Sequence, residues 1–125
     1  MLSLFCFFAF AALVAALVSA EPLAKSVLNG DYSDPNHPSC QRTVEAQSQF
    51  LAVIKGADAA GGEGASCDGT TDVAWEVPAV LDALVIVANF SSKGGPENLT
   101  GKYGDVGAYG AHEIRWEDGN VWPKL

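Results

Sequence analysis

Hydrophobic residues are distributed very unevenly along the 125-residue chain. Residues 1–20 are almost entirely apolar and carry no charged side chain, whereas the rest alternates short apolar stretches with clusters of Gly, Pro, Asn and Asp. The short stretches are rich in β-branched and aromatic residues, which favour strands, and the polar clusters are typical of turns. The pattern after residue 20 therefore predicts an all-β domain.

About seven strands are expected in this domain. Two prolines force a turn at Asp34–Pro38, and the Gly- and Asp-rich segment Gly56–Thr71 is predicted as a long loop. The segment Thr43–Ile54 fits a hairpin around Gln47–Ser48, but it also fits a helix. The expected strands are Leu28–Asp34, Arg42–Ala46, Gln49–Lys55, Asp72–Val77, Leu84–Phe90, Ala111–Trp116 and Asn120–Pro123, with a shorter one at Leu99–Tyr103. This number suits a small antiparallel barrel or a sandwich, and a barrel protects its strand edges better.

The last two segments form the clearest hairpin in the chain. A three-residue loop at Glu117–Gly119 would place its glycine in the left-handed conformation that such loops favour. This register puts Ile114, Trp116 and Trp122 on one face of the hairpin. A two-residue turn would instead send Trp122 to the opposite face. We prefer the longer loop because it buries both indoles together.

The first 20 residues are predicted to be a cleaved signal peptide. The apolar run ends in small residues at Val18–Ala20, which places the cleavage site before Glu21, although a positively charged start is missing. The alternative is an uncleaved membrane anchor, since the run approaches the ~20 residues that span a bilayer. The preferred interpretation makes the protein secreted, with a single domain at 21–125, and it removes Cys6.

The two remaining cysteines, Cys40 and Cys67, are expected to form a disulfide, because oxidising compartments pair thiols. A bridge over about 27 residues would stabilise the fold by ~3.5 kcal/mol in the chain-entropy model. A thiolate metal site would need further Cys or His ligands, which neither cysteine has close by in the sequence. Two glycosylation sequons, at Asn89 and Asn98, agree with secretion.

Charge limits the classes of partner. The chain has 15 acidic and 7 basic residues, a formal net charge of -8, and all of these charges lie after residue 20. Such a domain is repelled by nucleic acids and by anionic lipid surfaces, so we expect neither a nucleic acid nor, after cleavage, a membrane as partner. The 105 residues after the predicted signal peptide have the length of a single domain.

Several blocks of sequence resemble a family of small secreted proteins of microbial eukaryotes that is itself uncharacterised. The blocks are Asp34–Pro38 after a Gly-x-Tyr strand, Phe90–Pro96, Leu99–Gly101 and Ile114–Trp122. The resemblance implies a compact β-domain and no particular activity. A more distant resemblance is to the calycin-type barrels, which open with a Gly-x-Trp strand and enclose a ligand. Here Tyr32 takes the tryptophan position, and the rest of their signature is missing.

One small group of titratable residues lies close together in the sequence. Asp31, Asp34 and His37 could bind a cation or act as an acid and base, together with His112 if the fold brings it near. The structural alternative is that Asp34 and Asn36 hold the proline turn through side-chain hydrogen bonds, and we favour it.

Weak binding of calcium by the acidic loops stays an alternative. The stretch Asp68–Asp72 is superficially similar to a calcium loop but does not follow the EF-hand order of ligands. The sequence contains no nucleophile elbow, phosphate loop or zinc-protease motif, and it implies no cofactor.

Aromatic side chains are the richest resource for recognition, because their rings stack on sugars and on apolar ligands. We assign Trp75 and Trp116 to the core and propose Tyr103, Tyr109 and Trp122 as ligand-binding residues.

The sequence is compatible with three functions. The first is a secreted, non-catalytic binding domain for a small apolar or glycan ligand. The second is a structural or interaction protein of the cell surface or matrix, in which all the rings are core. The third is a small secreted hydrolase built on the aspartates and histidines named above. The oligomeric state cannot be derived from the sequence.

Overall fold

Eight antiparallel strands follow one another in chain order around a single sheet in the part of the chain that the structure describes. The structure is a computed structural model and describes residues 26–106 and 111–125. The predicted signal peptide and Tyr109 lie outside these residues. The strands are β1 Gly30–Tyr32, β2 Arg42–Ala46, β3 Leu51–Asp58, β4 Val73–Asp82, β5 Val85–Ala88, β6 Leu99–Val106, β7 Ala111–Trp116 and β8 Val121–Pro123.

The first and last strands meet, so the sheet is a nearly closed barrel. Tyr32 bridges to Lys124, the Ser33 N–H donates to the Pro123 carbonyl at 2.9 Å, and the Leu125 N–H donates to the Asp31 carbonyl at 2.9 Å. These bonds occupy backbone groups that would otherwise be exposed along two edges. The all-β prediction is confirmed, and of its two architectures the barrel is the one formed.

The β7–β8 hairpin has the predicted three-residue loop. The Trp116 N–H donates to the Asn120 carbonyl at 2.9 Å, and Gly119 has a φ of 92°, in the left-handed region. Ile114 therefore pairs with Trp122, and the side chains of Ile114, Trp116 and Trp122 are all buried.

The predicted hairpin at Thr43–Ile54 is confirmed, whereas the predicted end of the strand at Asp72–Val77 is wrong. Thr43–Ile54 is the hairpin between β2 and β3, not a helix, and its turn is held by the Ser48 hydroxyl, which accepts from the Phe50 and Leu51 N–H groups. β4 continues through Pro78, where the predicted strand stopped. The strand persists because inward-facing residues beyond the proline are buried, and because the Pro78 carbonyl still accepts from Asn89 at 3.0 Å.

Two tryptophans lie against glycines of the neighbouring strand. Trp75 pairs with Gly56, and Trp116 pairs with Gly101. A Cβ atom at Gly56 would lie 2.3 Å from the Trp75 ring, and one at Gly101 would lie 2.9 Å from the Trp116 ring. The glycines thus give the indoles room on the sheet.

The long loop after β3 is tied to the proline turn after β1. Cys40 and Cys67 form the predicted disulfide, with a Cα–Cα distance of 5.0 Å. The Cys67 N–H donates to the Pro38 carbonyl at 2.9 Å, and the Gly64 N–H donates to Asn36 at the same distance. No helix among the described residues is long and apolar enough to cross a membrane.

Reducing the disulfide should destabilise the barrel, because the open chain regains the conformational freedom of a 27-residue loop. We expect the free energy of unfolding to fall by ~3.5 kcal/mol, measured by urea denaturation with and without a reductant. Cys40→Ala combined with Cys67→Ala should reproduce the loss and make the protein insensitive to the reductant. An unchanged midpoint on reduction would contradict the prediction.

Candidate functional site

A fully buried arginine organises one end of the barrel. Arg42, at the start of β2, is only 1% exposed. Its Nε donates to Asp34 at 3.0 Å and its Nη2 donates to Asp58 at 3.0 Å. Its Nη1 donates to the backbone carbonyls of Gln41 and Ala57, at 2.9 and 2.6 Å. The buried charge is therefore compensated by two carboxylates and two carbonyls, as a charge removed from water requires.

Asp34 is the buried acceptor at the centre of this network. Besides Arg42, it accepts from the Asn36 N–H, the Asn120 side-chain amide and His37 Nδ1, each at 3.0 Å. A carboxylate only accepts, so His37 donates through Nδ1. Burial alone would raise the pKa of Asp34, but the Asn120 hydrogen bond, the Arg42 charge and the bonds from Asn36 and His37 together lower it.

Asp58 extends the network toward the surface. The carboxylate, at the end of β3, accepts from Lys93 Nζ at 2.7 Å, and His37 Nε2 lies 3.8 Å from it. Burial acts to raise the pKa of Asp58, but the Lys93 hydrogen bond and the charges of Lys93 and Arg42 lower it. The nearby Trp75 indole N–H also acts to lower it, without reaching hydrogen-bonding geometry.

Aromatic rings surround the arginine. The guanidinium carbon of Arg42 lies 5.0 Å from the Trp75 ring centroid and 5.6 Å from that of Trp122. Trp116 and Trp122 meet edge to face at 4.9 Å, and Phe90 packs edge-on against both, at 5.7 and 6.4 Å. These are the geometries that aromatic pairs and cation–π contacts prefer.

A cavity of about 140 Å³ lies between these rings and the ion network, and we call it the indole cavity. Its apolar wall includes Phe90, Leu99, Trp116 and Trp122, and its polar wall includes Asp34, His37, Arg42, Lys93 and Asn120. The indole N–H groups of Trp116 and Trp122 are buried and have no hydrogen-bond acceptor among the described residues.

The structure brings Asp34 and His37 together, as the sequence suggested, but in a structural role. Asp31 lies apart at the surface, where its Oδ1 accepts from the Thr43 hydroxyl at 2.7 Å. In the described ranges, no group of three or more His, Cys, Asp or Glu side chains is arranged to hold a metal ion. His112 lines a different pocket from His37. The geometry thus supports the turn-holding alternative that we preferred.

The proposed ligand-binding aromatics do not form one site. Trp122 lines the indole cavity, whereas Tyr103 lines a separate pocket, where it stacks on His112 at 5.6 Å with nearly parallel rings. Tyr103 is half-buried, and Lys124 Nζ lies 5.5 Å from its ring centroid. Of the two tryptophans assigned to the core, Trp116 is buried in it, and Trp75 is half-buried and packs against the core cluster.

The acidic loop satisfies its own carboxylates. Asp68 accepts from the Thr70 and Thr71 N–H groups and from the Thr71 hydroxyl, and Asp72 accepts from Asp68 and Gly69. The hydroxyl and backbone bonds from Thr71 lower the pKa of Asp68. Hydrogen bonds within the turn thus supply donors to the carboxylates of both Asp68 and Asp72.

The two sequon asparagines differ in exposure. Asn89 is half-buried, and its side-chain oxygen accepts from the Ser91 N–H and hydroxyl. Asn98 is exposed and is therefore the more accessible acceptor.

Sequence reasoning missed two apolar residues of the site, Phe90 and Leu99, and four polar ones: Arg42, Asp58, Lys93 and Asn120. One signal for Arg42 was present, because it shares the inward face of β2 with Val44. A charged residue at an inward position requires a buried counter-charge, and Asp34, eight positions before Arg42 in the sequence, is that partner. Nothing local marks Asn120, which reaches Asp34 across 86 positions of sequence.

Comparisons with protein-family models, with curated proteins and with solved structures find no match to this chain.

Replacing Arg42 should be strongly destabilising, because the buried Asp34 would lose its cation. We expect Arg42→Met to lower the free energy of unfolding by ~3–5 kcal/mol, measured by urea denaturation. Arg42→Met combined with Asp34→Asn should regain part of the loss, since the orphaned charge is gone. Lys55→Met is the control, because Lys55 pairs with Glu45 at the surface, and its effect should be small. A double variant as unstable as the single one would contradict the role given to charge compensation.

The network should also make the fold sensitive to acid. The folded-state pKa values of Asp34 and Asp58 are lowered, so their contribution to stability is complete above the ordinary carboxyl pKa of about 3.9. It is lost as the pH falls through the lower folded values. We expect the free energy of unfolding to fall with acidification in this range, and to fall less steeply in the Arg42→Met, Asp34→Asn double variant. Identical pH profiles for both proteins would show that these carboxylates do not cause the loss of stability in acid.

Proposed function

We propose that this protein is a secreted, non-catalytic binding domain that holds a small, largely apolar ligand in the indole cavity. The observation that carries the proposal is the cavity of about 140 Å³, bounded by Phe90, Leu99 and two indoles. An apolar cavity of ~150 Å³ is known to take up benzene. A single ring therefore matches the space between these walls.

A non-catalytic role is supported by the way the polar wall is bonded. The four donors on Asp34 occupy the lone pairs that a general base would need. His37 donates to Asp34, and the Arg42 guanidinium is held by carboxylates and carbonyls. These groups compensate one another, and none is directed as a nucleophile with its base.

An apolar ligand is favoured over a glycan. Sugars stack on aromatic faces that solvent can reach, whereas Trp116 and Trp122 are each only 4% exposed. A compact compound that enters the cavity suits this burial better than a saccharide chain that lies on the rings.

Secretion is supported by the Cys40–Cys67 disulfide, since such bonds persist in oxidising compartments, and by the signal-like pattern of residues 1–20.

An interaction protein is the second candidate, and one observation favours it. Leu51 and Val80 are paired across β3 and β4 and are 52% and 55% exposed, and Phe50 beside them is 64% exposed. Exposed apolar neighbours of this kind are found at protein contact surfaces. Sedimentation of the protein alone over a concentration series would reveal self-association through this face.

Toluene binding tests the cavity. We expect saturable binding to the wild-type protein, detected by tryptophan fluorescence and by ligand-observed NMR. Leu99→Phe should weaken binding at least tenfold, because the larger side chain occupies the cavity that Leu99 lines. Leu51→Phe is the matched control, since it makes the same change on the outer surface and should bind as the wild type does.

Thermal unfolding of both variants would separate loss of the cavity from loss of the fold. Binding by Leu99→Phe as tight as wild type, or no saturable binding by the wild type, would overturn the proposal.

A further inference from the structure

We infer that the ligand of the indole cavity is a small uncharged ring compound with an O–H or N–H group that donates a hydrogen bond to His37 Nε2. The inference rests on the proposed function and specifies its ligand class. It is carried by an imidazole in the polar wall of the cavity, whose two nitrogens have different surroundings.

One nitrogen of His37 is fixed inside the protein. Nδ1 lies 3.0 Å from Oδ2 of Asp34, a side chain that is only 2% exposed. A carboxylate has no proton to donate, so the proton of this hydrogen bond belongs to Nδ1. In a neutral imidazole only one nitrogen carries a proton, and the other is an acceptor. The bond to Asp34 therefore selects the tautomer that accepts at Nε2.

The other nitrogen has no hydrogen-bond partner among the residues that the structure describes. Its distance of 3.8 Å from Asp58 Oδ1 is too long for a hydrogen bond, and a carboxylate could not donate to it. Solvent reaches Nε2, because the buried side-chain nitrogens and oxygens that lack a partner in the described ranges all belong to tryptophans. The His37 side chain is 19% exposed and lines the cavity. Nε2 is thus an accessible acceptor in the polar wall.

A purely apolar ligand would leave this acceptor unpaired. A ring that fills the cavity displaces the water that reaches Nε2, and an acceptor that is buried without a donor is destabilising. A ligand O–H or N–H group directed at Nε2 would replace that water. The buried carboxylate beside it is less suited to this role, since Asp34 already accepts from four donors.

The ion network favours an uncharged ligand. The carboxylates of Asp34 and Asp58 are matched by two cations, Arg42 and Lys93, at distances of 2.7 to 3.0 Å. A charged ligand would lose its hydration and meet groups whose counter-ions are already in place. A neutral donor loses less hydration and gains the hydrogen bond to His37.

Phenol and toluene are matched probes, because a hydroxyl replaces a methyl group of similar size on the same ring. Their affinities, measured by ligand-observed NMR titration, give a phenol-to-toluene ratio, and comparing this ratio between variants cancels the difference in hydration of the two compounds. His37→Asn keeps an N–H group that can donate to Asp34 but ends short of the Nε2 position. We expect it to lower the ratio about fivefold, as the loss of one hydrogen bond implies, with toluene binding retained.

Two further variants locate the acceptor. His112→Asn is the matched control, since it makes the same change in a different pocket, and it should keep the wild-type ratio. Asp118→Asn tests the exposed carboxylate that also lines the cavity. A lower ratio in Asp118→Asn, with none in His37→Asn, would overturn the inference. Thermal unfolding of each variant checks that it is folded.

Histidine 15N NMR of the wild-type protein reads the hydrogen bond without a substitution. At a pH where the His37 ring is neutral in this spectrum, we expect the proton on Nδ1. The Nε2 resonance should lie further upfield with phenol bound than with toluene bound, because an accepted hydrogen bond shields this nitrogen. A proton on Nε2, or the same Nε2 resonance with both compounds, would contradict the inference.

The outcomes separate the two proposals. If both compounds bind and His37→Asn leaves their ratio unchanged, the donor inference is wrong and the binding function stands. If neither compound binds to the wild-type protein, the binding function itself is overturned.

Discussion

The buried guanidinium of Arg42 is the constraint on which this end of the barrel depends. A charge that is 1% exposed must be surrounded by acceptors, and those acceptors come from separate parts of the chain. Asp34 belongs to the turn after β1, and Asp58 ends β3. Asn120, in the last hairpin, binds Asp34 in turn. Each segment is therefore fixed with respect to the others by electrostatics as well as by packing, and the polar wall of the indole cavity is the product of this fixation.

The apolar wall depends on a glycine that makes room for a large side chain on the neighbouring strand. Trp116, on the apolar wall, lies over Gly101, where a Cβ atom would collide with the indole, and Trp75, outside the cavity, lies over Gly56 in the same way. Trp116 and Trp122 then meet edge to face at 4.9 Å and do not stack flat. A barrel of this size normally fills its interior with side chains. Here a cavity of about 140 Å³ remains at one end, lined by the rings on one side and by the ion network on the other.

Most of the fold could be predicted from local signals in the sequence. Turn chemistry predicted the β7–β8 hairpin with its glycine, and cysteine spacing predicted the disulfide. The extent of β4 was missed, because a proline normally ends a strand, and only tertiary burial carries the strand past Pro78. The site was harder, since its contacts join residues far apart in sequence. No local pattern relates Asn120 to Asp34, and periodicity could not show that Tyr103 and Trp122 line separate pockets.

The closure of the barrel has a kinetic consequence. Each of the seven strand pairs joins neighbours in the chain, so the connections are far shorter than the whole domain and cost less loop-closure entropy than a contact between its ends. The seam between Tyr32 and Lys124, and the Asp34–Asn120 bond beside it, instead join the two ends of the described chain. These contacts carry the largest loop-closure entropy, so we expect the indole cavity to be completed late in folding. Because Asp34 and Asn120 both line the indole cavity and are joined across the seam, the complete cavity exists only in the closed barrel.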